Sequence, residues 1–265
     1  MIFQRLIQGD CLDVLPTLED ESVDLVLTDP PYNIASETKI HVNRASNGKS
    51  VVLTTQEAWG NSFNDSFTDE EYLNLMKSIS IEFNRVLKSN GSVLIFFDRG
   101  KPYYLKSFYD LFHFRNMLCF VKKNPTNHIR KNNYRSSFEL CAWFSKEKYH
   151  INFISQSKMK NVFHGLIGSV SKEERGWLPT QKYIWMIKPL IERHSKSNDV
   201  ILDCFLGSGT TMKVARDLGR SCIGIEISPE YCEIARKRVF HRTLDNSITY
   251  SFEVFGEEKQ VEIVN

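Results

Sequence analysis

Short apolar runs alternate along the chain with stretches whose apolar positions recur at helical spacing. "VDLVLT" (23–28), "SVLIFFD" (92–98), "NMLCFVKK" (116–123), "FELCAWFSK" (138–146), "DVILDCF" (199–205) and "RSCIGIEI" (220–227) read as buried strands, preceded by a β-rich "FQRLIQ" near the start. "GDCLDVLPTLEDES" (9–22) predicts a short helix. "TDEEYLNLMKSISIEFNRVLKSNG" predicts a longer one, with Thr68 as N-cap, Glu71 completing a capping box, and Asn90-Gly91 as its stop. Residues 102–113 and "GTTMKVARDLG" (209–219) also read as helical, as does "TQKYIWMIKPLIERHSK" (180–196), in which Pro189 should kink the helix or shift its start. "SPEYCEIARKRVF" carries Ser228 as cap and Pro229 in its first turn. The alternating tail segments "ITYSFEVF" and "QVEIV" suggest a terminal hairpin. Strands alternating with helices predict an α/β fold built on a mainly parallel sheet. Two polar stretches, 35–68 and 150–178, lack periodicity, and segments that long inside a compact domain are usually functional or mobile.

Composition narrows the picture without redirecting it. The 265 residues suit one domain, with 42% hydrophobic and 25% charged residues and a net charge of +2. So small a charge does not by itself argue for a nucleic-acid partner, and any such surface must be local. The six cysteines are scattered without a CxxC pair or a Cys/His cluster, as expected for reduced thiols in a cytoplasmic protein without a structural metal site. "MIFQRLIQGD" is too polar for a signal peptide, and no apolar run approaches membrane-spanning length.

Two strand ends carry the candidate chemistry. After "VDLVLT" the chain places Asp29, Pro30, Pro31 and Tyr32. Neither proline can continue a strand ladder, so the segment leaves the sheet as a stiff turn. Asp29 and the Pro30 carbonyl offer two acceptors to the two N–H bonds of a base amino group, and Tyr32 offers a stacking face. Such a cluster suits methyl transfer to an exocyclic nitrogen, in which in-line positioning supplies most of the acceleration. After "ILDCF", Gly207 and Gly209 of "LGSGTT" allow a tight turn into a helix and close approach of a ligand. Glu226 ends the next strand, roughly 20 residues on, where a carboxylate binds ribose hydroxyls. The third glycine of a dinucleotide fingerprint and the lysine of a phosphate-binding loop are both missing. A nucleoside cofactor without a pyrophosphate fits better than NAD or ATP; a bare strand-to-helix turn is the competing reading.

"DPPY", "DCFLGSGTT", "GIEISPEY" and "PTQK", in that order, resemble the circularly permuted β-class of amino DNA methyltransferases. The resemblance runs from about Gly9 to Arg238 and implies a Rossmann-like methyltransferase fold, with helices on both faces of a twisted sheet. It further implies S-adenosylmethionine as cofactor, DNA (single- or double-stranded) as substrate, and the adenine-N6 group as acceptor, since cytosine-modifying members more often carry Ser for Asp29. A cytosine-N4 DNA or RNA amino methyltransferase is the alternative, and a catalytically silent nucleic-acid-binding subunit is the alternative of another class. By the resemblance, Asp29, Pro30, Pro31 and Tyr32 form the catalytic cluster, with Asp29 also at the cofactor. Asp203, Phe205, Gly207, Ser208, Gly209 and Thr210 surround the cofactor's methionine and ribose. Glu226 holds the ribose hydroxyls, Ile227 the adenine ring, Asp10 and Cys11 the adenine edge, and Thr180 and Lys182 the cofactor's carboxylate. Leu178 and Tyr183 flank "PTQK" where the family usually has His and Pro, and Cys204 stands where it commonly has Pro. The basic segment with Lys122, Lys123, Arg130, Lys131 and Arg135 is a candidate phosphate-tracking loop, and residues 147–178 a short target-recognition insert within the single domain. A homodimer and a cognate restriction endonuclease are candidate partners. Glu139 sits where the family often has an acid.

Overall fold

The computed structural model describes residues 2–33, 67–125, 134–168, 181–240 and 248–257, together with the backbone of strands at 39–43, 50–54 and 262–264. The strands are β1 (Ile2–Gln8), β2 (Val23–Thr28), β3 (Lys39–Asn43), β4 (Ser50–Thr54), β5 (Leu87–Phe97), β6 (His113–Lys122), β7 (Phe138–Ser145), β8 (Val162–Gly165), β9 (Val200–Asp203), β10 (Ser221–Glu226), β11 (Ile248–Val254) and β12 (Glu262–Val264). The helices are α1 (Cys11–Val14), α2 (Asp69–Val86), α3 (Lys106–Leu111), α4 (Ile184–His194), α5 (Thr210–Asp217) and α6 (Pro229–Val239).

The main sheet runs β12-β11-β1-β10-β9-β2-β5-β7-β6-β8, while β3 and β4 form a separate antiparallel pair. Its centre is parallel, since β1, β10, β9, β2 and β5 each lie parallel to their neighbours in that group. The order reverses direction of travel at β9 and β2, which sit side by side although far apart in sequence. Successive side chains of these strands point to opposite faces. Val26 and Ile95 join a core with Val14 of α1, Met76 and Phe83 of α2 and Phe108 of α3. Leu25, Leu27 and Leu94 join a second core with Ile187 and Leu190 of α4, Met212 of α5 and Ala235 of α6. Helices thus cover both faces, as the Rossmann-like expectation requires.

Four local readings change. The long helix stops at Val86 rather than at Asn90-Gly91, because Leu87 already pairs with Val23 and the following residues extend β5. The predicted helix over 102–113 is split into a 3-10 turn at Pro102–Leu105 and α3, and His113 belongs to β6. Pro189 lies inside α4, whose start is moved to Ile184. The terminal hairpin exists as β11–β12, but β11 also docks parallel to β1 and so becomes part of the main sheet. Within 147–168, β8 adds a parallel strand beside β6. The aperiodic stretch 35–68 contains the β3–β4 pair, and its other residues before Phe67 lie outside the described residues.

Candidate active site

The loops that leave β2 and β9 emerge at the same end of the sheet, the end where parallel α/β folds bind ligands. Val26 pairs with Leu202, so the two chains turn out next to one another. There Thr28 Oγ1 donates to Asp203 Oδ1 at 2.8 Å in a buried hydrogen bond. The proline-bearing turn and the glycine loop are therefore joined, and both line one cleft of about 1320 Å³.

On the glycine side, Gly207 and Gly209 have φ of 54° and 78°, a left-handed conformation that side chains resist. A Cβ at Gly209 would also meet that of Ala235 at 3.1 Å. Arg238, buried in α6, ties this turn down by donating to Ser208 Oγ at 2.8 Å and Thr210 Oγ1 at 2.7 Å. Glu226 is equally fixed, accepting from the backbone N–H of Gly207 and of Ser228, both at 2.8 Å. Burial raises its carboxyl above the ordinary range against those hydrogen bonds. Ile227, next in the chain, is 53% exposed at the cleft, an apolar lip beside a carboxylate. Asp203 accepts from Phe205 N at 3.2 Å, and burial pushes its carboxyl up to about 6. Gly9 N donates to the Glu226 carbonyl, which brings Asp10 and Cys11 to the same cleft. Asp10 is exposed and caps α1 through Leu12 N at 2.8 Å, whereas Cys11 is buried. A fixed acceptor beside an apolar lip fits a nucleoside such as that of S-adenosylmethionine.

The turn on the other side is braced from beneath. Tyr72 of α2 donates to the Pro31 carbonyl, and Asn33, at φ 55°, accepts from Phe67 N at 2.8 Å and donates to Tyr104 Oη at 3.0 Å. Lys101 Nζ donates to the Asn33 carbonyl at 2.8 Å. Above the brace, Tyr32 Oη donates to Asp29 Oδ1 at 2.7 Å. Lys182 enters from the segment before α4 and donates to Asp29 Oδ2 at 2.6 Å and to Tyr32 Oη at 3.1 Å. Its ammonium also lies 5.2 Å from the Tyr32 ring centroid and 5.0 Å from that of Phe96. Thr210 Oγ1 donates to the Lys182 carbonyl at 3.0 Å, so the glycine loop also holds this lysine in place. Burial pushes the Asp29 carboxyl up, and Lys182 pulls it back only in part. The Tyr32 hydroxyl is held well above its usual range by burial and by Asp29, which keeps it a donor.

Lys182 thus meets the acceptor cluster, whereas the sequence resemblance placed it at the cofactor's carboxylate. Thr180, Arg130 and Lys131 lie outside the described residues. Lys122 is not part of an exposed basic face: its ammonium pairs with Glu139 Oε1 at 2.7 Å, because β6 ends at the cleft and β7 begins opposite it. Lys123 and Arg135 are exposed at the rim, where Arg135 donates to the Pro125 carbonyl. Tyr72, Tyr104 and Arg238 escaped the sequence reading, because nothing in a helical pattern distinguishes a bracing hydroxyl or guanidinium from ordinary packing.

A DNA methylase family model, that of the N6/N4 methyltransferases, matches residues 23–237. The type II methyltransferase M.HinfI of Haemophilus influenzae is 32% identical over 251 residues, spanning 88% of this chain and 67% of that protein. The type II methyltransferase M2.DpnII of Streptococcus pneumoniae is 30% identical, spanning 88% of each. Among solved structures, the M1.HpyAVI–SAM complex superposes with a TM-score of 0.66 at 22% identity, covering 89% of this chain and 98% of that one. The PvuII DNA methyltransferase (cytosine-N4-specific) gives 0.66 at 20% identity, covering 93% and 89%. With its two motif-bearing loops joined at the carboxyl edge of the sheet, the chain belongs to the amino-directed DNA methylase family, whose methyl donor is S-adenosylmethionine.

Proposed function

We infer that the chain methylates the N6 amino group of adenine in DNA. The observation that carries this reading is the Asp29–Tyr32 cluster: a carboxylate kept as an acceptor by Lys182, beside an aromatic face, in a turn whose preceding residue, Thr28, donates to the cofactor-side Asp203. S-adenosylmethionine supplies an electrophilic methyl group on a sulfonium. Glu226 would receive its ribose hydroxyls, Ile227 would pack on its adenine ring, and Asp203, Phe205 and the 207–210 turn would hold the rest. Asp29 and the Pro30 carbonyl accept from the amino group, drawing its lone pair out of conjugation with the ring. Tyr32 stacks on the extruded base, whose removal from the duplex costs a few kcal/mol. The methylated nitrogen then loses a proton readily, so no enzyme nucleophile is required. Lys123 and Arg135 track phosphates at the rim, and the short 147–178 segment supports a short recognition sequence.

The carboxylate at position 29 favours adenine over cytosine as acceptor. Incubating the protein with DNA and isotopically labelled S-adenosylmethionine, then hydrolysing to nucleosides, should place the label in N6-methyladenine by mass spectrometry. Label in N4-methylcytosine alone would replace the acceptor while leaving the family intact.

A further inference from the structure

Asp29 and Lys182 continue in the cleft into a line of alternating charges whose other two members, Glu139 and Lys122, the reaction as described leaves unused. Lys122 pairs with Glu139 Oε1 at 2.7 Å, Glu139 Oε2 lies 3.1 Å from Lys182 Nζ, and Lys182 pairs with Asp29 Oδ2 at 2.6 Å. All four side chains are largely buried, from 10% exposed at Lys182 to 26% at Asp29. The two central members come from different parts of the fold, the start of β7 and the segment before α4, so the alignment is tertiary and not an accident of neighbouring residues. A buried charge is costly unless paired, and this line pairs every one of its charges.

The line poses a chemical problem and contains its solution. A lysine bonded to Asp29 alone would keep the carboxylate ionised but would also neutralise it, leaving a weaker acceptor for an incoming amino group. We propose that Glu139 is a positioning residue that shares the Lys182 ammonium with Asp29, with Lys122 anchoring Glu139 from the far side, so that Asp29 stays both ionised and basic enough to accept from the target amine. This inference rests on the methyl-transfer reading of the site. The contacts agree with the sharing: Lys182 Nζ donates to Asp29 Oδ2 at 2.6 Å and to Tyr32 Oη at 3.1 Å, and the same ammonium lies 3.1 Å from Glu139 Oε2. Although burial pushes the Glu139 carboxyl up, Lys182 and Lys122 bring it down to about 2, so it stays charged across the working range.

The groups facing Asp29 are Lys182, Glu139, Tyr32, the buried thiol of Cys141 on β7, which burial and Asp29 hold protonated, and, beyond Thr28, Asp203. Lys182 favours the ionised form of Asp29, and Glu139 opposes it. Removing the Glu139 charge should therefore move the acid limb of the pH–rate profile to lower pH while slowing transfer. Removing Lys122 leaves Glu139 leaning wholly on Lys182 and should move that limb to higher pH. The experiment compares parent, Glu139→Gln, Glu139→Asp and Lys122→Met, by single-turnover methyl transfer to DNA across pH and by calorimetric binding of S-adenosylmethionine. Glu139→Gln should bind cofactor within about twofold of the parent yet transfer on the order of 10–100-fold more slowly, the size of loss that misplacing a reacting group causes. Glu139→Asp should restore the parental acid limb. The two opposed pH displacements are signatures that a purely structural role would not produce. Parental rates in Glu139→Gln, or a slow variant whose acid limb does not move, would overturn the proposal while leaving the proposed activity standing. A parent that transfers no methyl group at all would overturn both. Should Glu139→Gln fail to fold, Lys122→Met decides: an unmoved acid limb there counts against the line of charges.

Discussion

Two acids at strand ends do different work, and single replacements should separate them. Asp29 touches no backbone N–H of the glycine loop; its partners are Lys182 and Tyr32. Asp29→Ala is expected to keep cofactor affinity but lose roughly 10²–10³-fold in transfer rate, the range seen when one preorganised transition-state group is removed. Glu226 instead accepts from two backbone N–H groups that shape the turn. Glu226→Gln turns one acceptor into a donor facing them, so cofactor affinity should fall about tenfold or more in calorimetric titration, the equivalent of one buried hydrogen bond left unmade. At this scale the sequence was informative wherever chemistry needs a rare residue type: the Pro-Pro pair, the two glycines and the acids at strand ends were all legible. The contact of Lys182 with Asp29 was not legible, because that carboxylate is contributed by a loop 153 residues away.

At the scale of elements, helix α2 shows how local signals and packing divide the control. Its start is written in sequence: Thr68 Oγ1 accepts from Glu71 N at 3.2 Å, and Glu71 Oε2 accepts from Thr68 N at 2.8 Å. Thr68→Ala should therefore cost about 1 kcal/mol in chemical denaturation. This helix also carries Tyr72, which supports Pro31, so some of that loss should be felt at the catalytic turn. Its end is not written there, because Leu87 is claimed by pairing with Val23 before the Asn90-Gly91 signal is reached. Tertiary pairing overrides propensity where a strand partner is available. Similarly, the basic run around Lys122 read as one phosphate-tracking loop, yet strand pairing turned Lys122 toward Glu139 and left Lys123 exposed.

For the whole molecule, the two helical layers and the sheet between them also determine its response to acid. His194, at the end of α4, is buried against Trp143 with ring centroids 4.6 Å apart, and burial, assisted by Arg193 and His150, pushes its imidazole from 6.5 down to about 3. The folded protein thus resists protonation that the unfolded chain accepts, so its contribution to stability is present above about 6.5 and lost as pH falls toward 3. The slope should approach about 1.4 kcal/mol per pH unit within that window. His194→Gln should show a shallower decline than the parent when denaturant midpoints are compared between pH 6.5 and 4. Asp203 acts in the opposite direction: burial raises it to about 6, so its contribution favours the folded state at low pH and is lost as pH rises from the unfolded value of 3.8 through about 6.

By itself the chain's pattern of apolar runs, turn residues and terminal acids determined that this is an α/β protein with a glycine turn after one strand and a stiff proline turn after another, because those features depend on backbone freedom and side-chain type within a few residues. Only the tertiary structure decided that β9 lies against β2, that Thr28 bonds Asp203, and that Lys122, Glu139, Lys182 and Asp29 fall into one line. Those facts depend on which strand ends meet at one edge of the sheet, and burial then makes each charge depend on partners that local sequence cannot specify.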